Sequence, residues 1–599
     1  MKYYKKFKET VKISKEVIKL IWETSPSYTS YIILILIFSA LVPVAEAFII
    51  KKIVDLLTLS LQAQVMFNSI VFFIVLFVLV TLFSRLIENQ RNATQIILGN
   101  LFSKSIQQRI VEKTTKLAFW RFEDPNFYDR LHRVSEEATY RPLNTFYHFF
   151  EFLQNVILLI TISIALLSFN PFIVFLMVLF SLPSLVIEIK YGWAWWNLIY
   201  RETPRSRRLN YLHFLMTRIY EMKDIKLLNI RSYLFDKYKN LYDKLFHEQK
   251  ALVTRRYIWQ FFMYLLSDAV LILFYVLLTW QTFIKKISIG DFIFYSTLYT
   301  RGVGAVHSIV RDIAGIYENN LFVHEMLKFF DMPEEEIIKD SKPIEGIKRG
   351  FEFRNVWFKY PGTKEWILKN ASFEIPLGKS IALVGENGAG KTTIVKLLTR
   401  LYEPAKGQIL LNGRNIQDYN LNSYRNLFGV AFQDFAKFFF NVEENIAIGD
   451  KNRVVSHKEI VDLSKKAEIY EKIMKLPNKY NTVLGKWFHE GYDLSHGEWQ
   501  KIAIARALVK RAPFYILDEP TAALDARAEY NVFKQFQKHV KRKTAVFISH
   551  RFSNVKLADY IFVIKAGKIA QHGTHKELLK KKGLYKRLYT FQAKRYQED

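Results

Sequence analysis

Gly385-Glu386-Asn387-Gly388-Ala389-Gly390-Lys391-Thr392 decides the fold of the C-terminal half of this chain. The stretch reads G-x-x-x-x-G-K-[ST]. It lies between an apolar, strand-like run, Ser380 to Val384, and a helix-like run, Thr393 to Leu401. A strand, a glycine turn and a helix in that order make a phosphate-binding loop. The glycines let backbone N–H groups turn inward on a phosphate, and the helix points its positive end at the same anion. Lys391 has the reach for β- and γ-phosphates, and the Thr392 hydroxyl suits Mg²⁺. The expected nucleotide contacts therefore run from Gly385 through Thr393, with ATP and Mg²⁺ as the expected ligands.

Two further stretches extend the site. Phe514-Tyr515-Ile516-Leu517-Asp518-Glu519 is an apolar strand ending in two carboxylates. After a phosphate loop, Asp518 is placed to hold Mg²⁺ through water, and Glu519 to orient or deprotonate an attacking water. Between the two lies Leu494-Ser495-His496-Gly497-Glu498, then the helix-like Trp499 to Lys510. A serine and a glycine at a helix N-terminus form a second anion site. Two phosphate-binding ends in one domain make sense if two domains meet head to tail, each completing the other's site.

The N-terminal half is of another kind. The runs Tyr31–Ile50, Ile70–Phe83, Phe152–Leu167, Phe172–Ile187, Phe261–Trp280 and Phe292–Ile309 are six membrane-span candidates. The second is short in its charge-free part, and the sixth contains Arg301, Gly302, Gly304 and His307. A buried core helix is the alternative for any one of them. The predicted architecture is a six-span α-helical transmembrane domain over residues 1–332, a linker at 333–350, and an α/β nucleotide-binding domain over 351–599, acting as a dimer.

A formal net charge of +30 points first to nucleic acid. Its placement argues otherwise. Lys2, Lys5, Lys6, Lys8, Lys12, Lys15 and Lys19 crowd the N-terminus, and two stretches expected to be long loops, about 84–145 and 190–257, hold much of the rest. The other connections, about 51–68, 170–171 and 285–288, are short and far less basic. The positive-inside rule puts the N-terminus, the long connections and the C-terminal half in the cytoplasm of a multi-pass cell-membrane protein. No nucleic-acid-binding motif accompanies the charge. The Val11–Trp22 segment is amphipathic and predicts a helix along the inner membrane surface. The chain has no cysteine, which excludes disulfides, thiolate metal sites and a cysteine nucleophile.

Together these stretches resemble an ATP-binding cassette (ABC) exporter half-transporter, and the likeness covers nearly the whole chain. Leu494, Ser495 and Gly497 match the family signature L-S-G-G-Q, which this sequence leaves at His496 and Glu498. His496 either crowds the γ-phosphate or adds a donor to it. The resemblance implies that Tyr360, in Trp357-Phe358-Lys359-Tyr360-Pro361, stacks on adenine; the alternative is a turn tyrosine. It implies that Gln433 senses Mg²⁺ and that Glu490 lies in a region contacting the coupling helices. It implies that Asp525, in Ala523-Leu524-Asp525, lies at a dimer interface, and that His550 contacts the γ-phosphate. A lone histidine is more often structural, but this one follows an apolar strand, Ala545 to Ile548. Phe122-Glu123-Asp124-Pro125-Asn126-Phe127-Tyr128 resembles the first coupling helix, and Glu221-Met222-Lys223-Asp224-Ile225-Lys226 the approach to the second.

Within the family, the combination of Leu484 to Gly491, Trp499 to Ala503 and Thr139-Tyr140-Arg141-Pro142 is similar to exporters of modified antimicrobial peptides of the lantibiotic, nisin-handling type. Related multidrug exporters share much of it. No peptidase domain precedes the spans, so a peptide cargo would have its leader cut by another protein. Glu46, Asp268, Glu151 and Glu188, near or within the spans, are candidates to shape a pathway for a cationic cargo; the alternative is a structural partner on a neighbouring helix. The reading is an ATP-hydrolysing exporter working by alternating access, its partners being a second copy or a paired half-transporter, membrane lipid, and a peptide or small amphiphile, with no nucleic acid. A multidrug or lipid exporter is the nearest alternative. An ATP-binding regulator or immunity subunit with little turnover is the alternative of another class, and His496 is its one argument.

Overall fold

The computed structural model describes residues 2–60, 67–137, 140–335, 344, 346–519, 526–549 and 551–595. The chain divides into two compact units. One comprises Met1–Leu117 and Pro125–Pro333; the other comprises Ala118–Asp124 and Glu334–Asp599.

The first unit is helical: α1 Lys2–Thr24, α2 Pro26–Ser60, α3 Phe67–Lys116, α4 Pro125–Glu137, α5 Arg141–Leu167, α6 Pro171–Thr217, α7 Ile219–Leu227, α8 Arg231–Phe283 and α9 Ile289–Phe330. Helices α2, α3, α5, α6 and α8 are long and apolar enough to cross a membrane. Helix α9, holding the sixth run, is not among them, because polar residues interrupt its apolar stretch. Much of α9 is buried, and its partners lie on several helices. Arg301 donates to Glu46 of α2 at 3.2 Å, and Asp312 pairs with His148 of α5 at 3.1 Å. The hydropathy of α9 therefore understates its burial. Gly302 lets α9 approach closely, since a Cβ there would lie 2.9 Å from the sulfur of Met177.

The long basic connections are not loops. Helices α3, α6 and α8 continue through them well beyond their apolar runs. Helix α1 buries part of its apolar face in the protein, while Val11 and Trp22 stay exposed. Ile13, Val17 and Ile21, four residues apart, are buried in the protein, and Ser14 accepts a 2.7 Å hydrogen bond from Asn320 of α9. Three of the four candidate pathway acids have charged or ionisable neighbours. Glu188 is buried and paired with Arg256, Glu46 with Arg301, and Glu151 lies close to His148 and Asp312. Asp268 is exposed and has no ion pair among the described residues.

The second unit holds two sheets. β1 Phe351–Phe358, β2 Leu368–Ile375, β4 Lys406–Leu411 and β5 Arg414–Asn415 form an antiparallel sheet in the order β2-β1-β4-β5. β3 Ser380–Gly385, β6 Phe428–Ala431, β7 Phe514–Asp518, β8 Thr544–Ile548, β9 Tyr560–Lys565 and β10 Lys568–Gly573 form the other, ordered β10-β9-β3-β8-β7-β6. This sheet is parallel except for the β9–β10 hairpin. Its central strands are continuously buried, as β7 is along its whole length, which is why they read as unbroken apolar runs. Around them lie α10 Lys391–Leu398, α11 Leu421–Arg425, α12 Val442–Ala447, α13 His457–Lys466, α14 Tyr470–Met474, α15 His496–Val509, α16 Ala526–His539, α17 Phe552–Val555, α18 His575–Lys580 and α19 Leu584–Arg595. The parallel register puts the C-terminal ends of β3 and β7, flanking β8, on one edge, where a ligand site forms in such sheets.

Candidate nucleotide site

The phosphate loop turns out of β3 into α10. Gly388 and Gly390 take φ values of 77° and 102°, a left-handed backbone that glycine adopts without strain. At Gly390 a Cβ would also meet Leu368 at 2.9 Å. Lys391 is buried, and its ammonium donates to the Gly385 and Glu386 carbonyls at 3.0 and 3.1 Å. Burial pulls its pKa down, while Glu519 and Asp518 pull it up. A buried ammonium whose hydrogen bonds among the described residues go to two carbonyls fits a phosphate, which supplies an opposite charge.

Thr392 Oγ1 donates to Asp518 Oδ1 at 3.3 Å, bringing the two expected Mg²⁺ ligands together. Asp518 is 1 % exposed. Burial pushes its carboxyl from 3.8 up to about 6, despite the Thr392 hydrogen bond that lowers it. Lys391 offsets the burial of this carboxyl only in part, and the donor set of hydroxyl and carboxylate suits a hard dication. Next to it, Glu519 has a left-handed backbone, φ 45°, uncommon for a non-glycine residue and found at functional sites. The Ile548 carbonyl accepts from Glu519 N–H at 3.1 Å, and Gln500 Nε2 of α15 donates to the Glu519 carbonyl at 3.2 Å. The side chain accepts from Gln433 Nε2 at 3.2 Å. Gln433 and Glu519, far apart in sequence, thus converge beside the phosphate loop.

Tyr360 is half-buried, its hydroxyl 3.0 Å from Thr393 Oγ1 and its ring edge-on to Tyr402 at 5.3 Å. Lys396 of α10 lies 5.3 Å from the Tyr360 ring and 5.6 Å from that of Tyr402. The segment resembling the first coupling helix begins in a 3₁₀ turn, Phe119–Glu123, within the second unit. Phe119 stands edge-on to Tyr402 at 5.8 Å, and Glu123 pairs with Lys396 at 3.7 Å. Lys396, Tyr402 and Gln500 escape a motif search, because each acts through a contact distant in sequence.

Ser495 and His496 are exposed at the start of α15 and Gly497 is half-buried. Ser495 Oγ accepts from Glu498 N–H at 3.3 Å, and Glu498 accepts from Ser495 N–H at 2.8 Å, a capping box. His496 stacks on Phe435, two residues beyond Gln433, with centroids 5.6 Å apart. Its imidazole therefore has a packing partner beside the Gln433 segment. Asp525 and His550 lie outside the described residues, as does Thr139.

A family profile described as "ABC transporter" matches residues 368–522. The subtilin transport ATP-binding protein SpaT of Bacillus subtilis is 31% identical over 596 residues, covering 97% of this chain and 95% of that protein. This chain belongs to the ABC exporter family. The nisin transport ATP-binding protein NisT of Lactococcus lactis subsp. lactis is 27% identical, covering 98% of this chain and 97% of its own. A solved bacterial Atm1-family ABC exporter with ATP bound superposes with a TM-score of 0.82 at 26% identity, over 95% of this chain and 98% of that one. As an ABC exporter the chain is a multi-pass membrane protein with a cytoplasmic ATPase domain. It binds ATP and couples its hydrolysis to transport.

Proposed function

We propose that this exporter carries a modified antimicrobial peptide outward, working as a homodimer of six-span chains. The observation that carries the cargo is the extent of the likeness. The subtilin and nisin transport proteins align with 97% and 98% of this chain, so the alignment takes in the spans where cargo selectivity must reside. The ATP-dependent lipid A-core flippase of Haemophilus influenzae (strain 86-028NP) is 43% identical, but over only 43% of this chain. A likeness over less than half of the chain is a weaker guide to cargo than one over nearly all of it.

Helix α9 completes the six spans in this reading, with the membrane domain over 1–332, the linker at 333–350 and the ATPase domain over 351–599. Gly385 to Thr393 hold the phosphates, and Tyr360 stacks on adenine. Thr392, Gln433 and Asp518 hold Mg²⁺, which when bound draws charge from the β- and γ-phosphate oxygens. Glu519 takes the proton of the attacking water, with Gln433 fixing the carboxylate's direction. Ser495 and Gly497 serve the ATP held by the partner's phosphate loop, which accords with their place at the N-terminus of α15. Asp525 lies at that interface, and His550 contacts the γ-phosphate. Helix α7 ends in Leu227, 84 % exposed, and docks on the second copy.

Purified protein in lipid nanodiscs, titrated with a lanthionine-containing cationic peptide carrying its leader, tests the cargo. Peptide-stimulated ATP hydrolysis is expected. Stimulation by lipid or drug amphiphiles alone would replace the reading with the alternative.

A further inference from the structure

The signature loop departs from its family at Glu498, where a carboxylate replaces a neutral amide at the N-terminus of α15. That end has to receive the γ-phosphate of the opposing ATP, so the inference below rests on the dimer reading. A fixed negative charge there repels the incoming anion. It also occupies the Ser495 N–H at 2.8 Å, while the Glu498 N–H is spent on Ser495 Oγ at 3.3 Å. The loop is capped by its own acid.

Lys472 stands against this acid. It lies on α14, and its Nζ is 3.0 Å from Glu498 Oε1. Its ammonium is also 5.5 Å from the centre of the Tyr492 ring, in the segment leading into the signature. Burial raises the Glu498 carboxyl, but the Ser495 N–H and Lys472 outweigh it and hold the group below the usual range. Glu498 is thus ionised at neutral pH. Its two oxygens are divided, one on the backbone of Ser495 and one on Lys472.

We infer that Lys472 is a positioning residue for ATP hydrolysis: by holding one oxygen of Glu498 it offsets the carboxylate's charge, so that the N-terminus of α15 can receive a phosphate. The sequence departure at Glu498 is then matched by a lysine on a neighbouring helix. Without Lys472 the carboxylate keeps its charge and its hold on the Ser495 N–H, and ATP-driven closure meets like-charge repulsion.

The test compares steady-state ATP hydrolysis of the full-length chain in nanodiscs at low salt. Lys472→Met is expected to raise KM for ATP about two- to fivefold with a smaller change in kcat, the scale of one charge near a helix terminus. The shift should shrink at high salt. Lys472→Met with Glu498→Gln should return KM to the wild-type value or below, and Lys472→Arg should behave as wild type. A merely structural Lys472 would lower stability and would not be rescued by Glu498→Gln. Ser495→Ala separates the premises. If it leaves hydrolysis unchanged, the shared-site reading falls, and this inference with it. If it slows hydrolysis while Lys472→Met leaves KM unmoved, the inference alone is wrong.

Discussion

Gln433 and Glu519 meet side chain to side chain, the amide donating to the carboxylate at 3.2 Å. Glu519 is already fixed from behind by two backbone hydrogen bonds and an unusual φ. The amide adds direction to the carboxylate itself. Removing the base by Glu519→Gln is expected to slow hydrolysis at least about a hundredfold while ATP binding persists. Gln433→Ala keeps the base but frees it to rotate. A hydrogen bond to a charged group contributes about 1.5 kcal/mol, so the expected loss in kcat is about tenfold. Equal losses for the two variants would contradict this division of labour.

The pair also marks what was legible in the sequence. The phosphate loop and the Asp518-Glu519 strand end are contiguous, and their chemistry demands fixed residue types at fixed spacing. They declared themselves, as did the buried parallel strands with their unbroken apolar runs. Lys472, Lys396 and Tyr402 did not. Each is an ordinary residue whose meaning is a contact made by tertiary packing. Helix α9 was hard to read for a related reason. Hydropathy sums residues one by one and scores Arg301 and Asp312 as costs, though both are paired with other helices. The basic stretches at 84–145 and 190–257 read as loops because their charge implies exposure, whereas helices can be long and polar.

Asp518 sets a pH dependence. Its folded value, about 6, lies above its ordinary 3.8. Protonation of this carboxyl therefore favours the fold below about 3.8, and that contribution is lost as the pH rises through about 6. At pH 7.5 the nucleotide-free protein carries a buried charge that Lys391 and Thr392 offset only in part, and Asp518→Asn should raise its melting temperature. The gain is at most about 3 kcal/mol, from a shift of about two units at 1.36 kcal/mol each. It should vanish near pH 4. With ATP and Mg²⁺ the order reverses, because a bound dication favours the carboxylate. Calorimetry of both proteins across this pH range, with and without Mg²⁺, reads each sign.

Lys396 links the nucleotide's expected base platform to the Phe119–Glu123 turn. It pairs with Glu123 at 3.7 Å and lies within 6 Å of the Tyr360, Tyr402 and Phe119 rings. Exposed ion pairs contribute only about 0.2–1 kcal/mol, so the effect on stability is small. The effect on coupling is expected to be larger in proportion. Lys396→Glu should cut cargo-stimulated hydrolysis about two- to fivefold relative to the basal rate. The swap Glu123→Lys with Lys396→Glu should recover most of it. A swap no better than Lys396→Glu alone would show that the rings, not the ion pair, carry the link.

Glu46 is a natural candidate to attract a cationic peptide, yet in the structure its charge is already met. Arg301 donates to it at 3.2 Å, joining α2 to α9. Charges at membrane depth are costly unless paired, and removing one partner strands the other. Glu46→Gln should therefore lower the melting temperature by a few degrees, whatever the cargo. Adding Arg301→Gln should restore it. Asp268, exposed on α8 and without an ion pair among the described residues, is the acid left to meet a cargo. Asp268→Asn should reduce peptide-stimulated hydrolysis while leaving the melting temperature near that of wild type. If instead Glu46→Gln loses peptide stimulation at unchanged stability, and Asp268→Asn does neither, then Glu46 trades Arg301 for the cargo during transport and its ion pair is a resting contact.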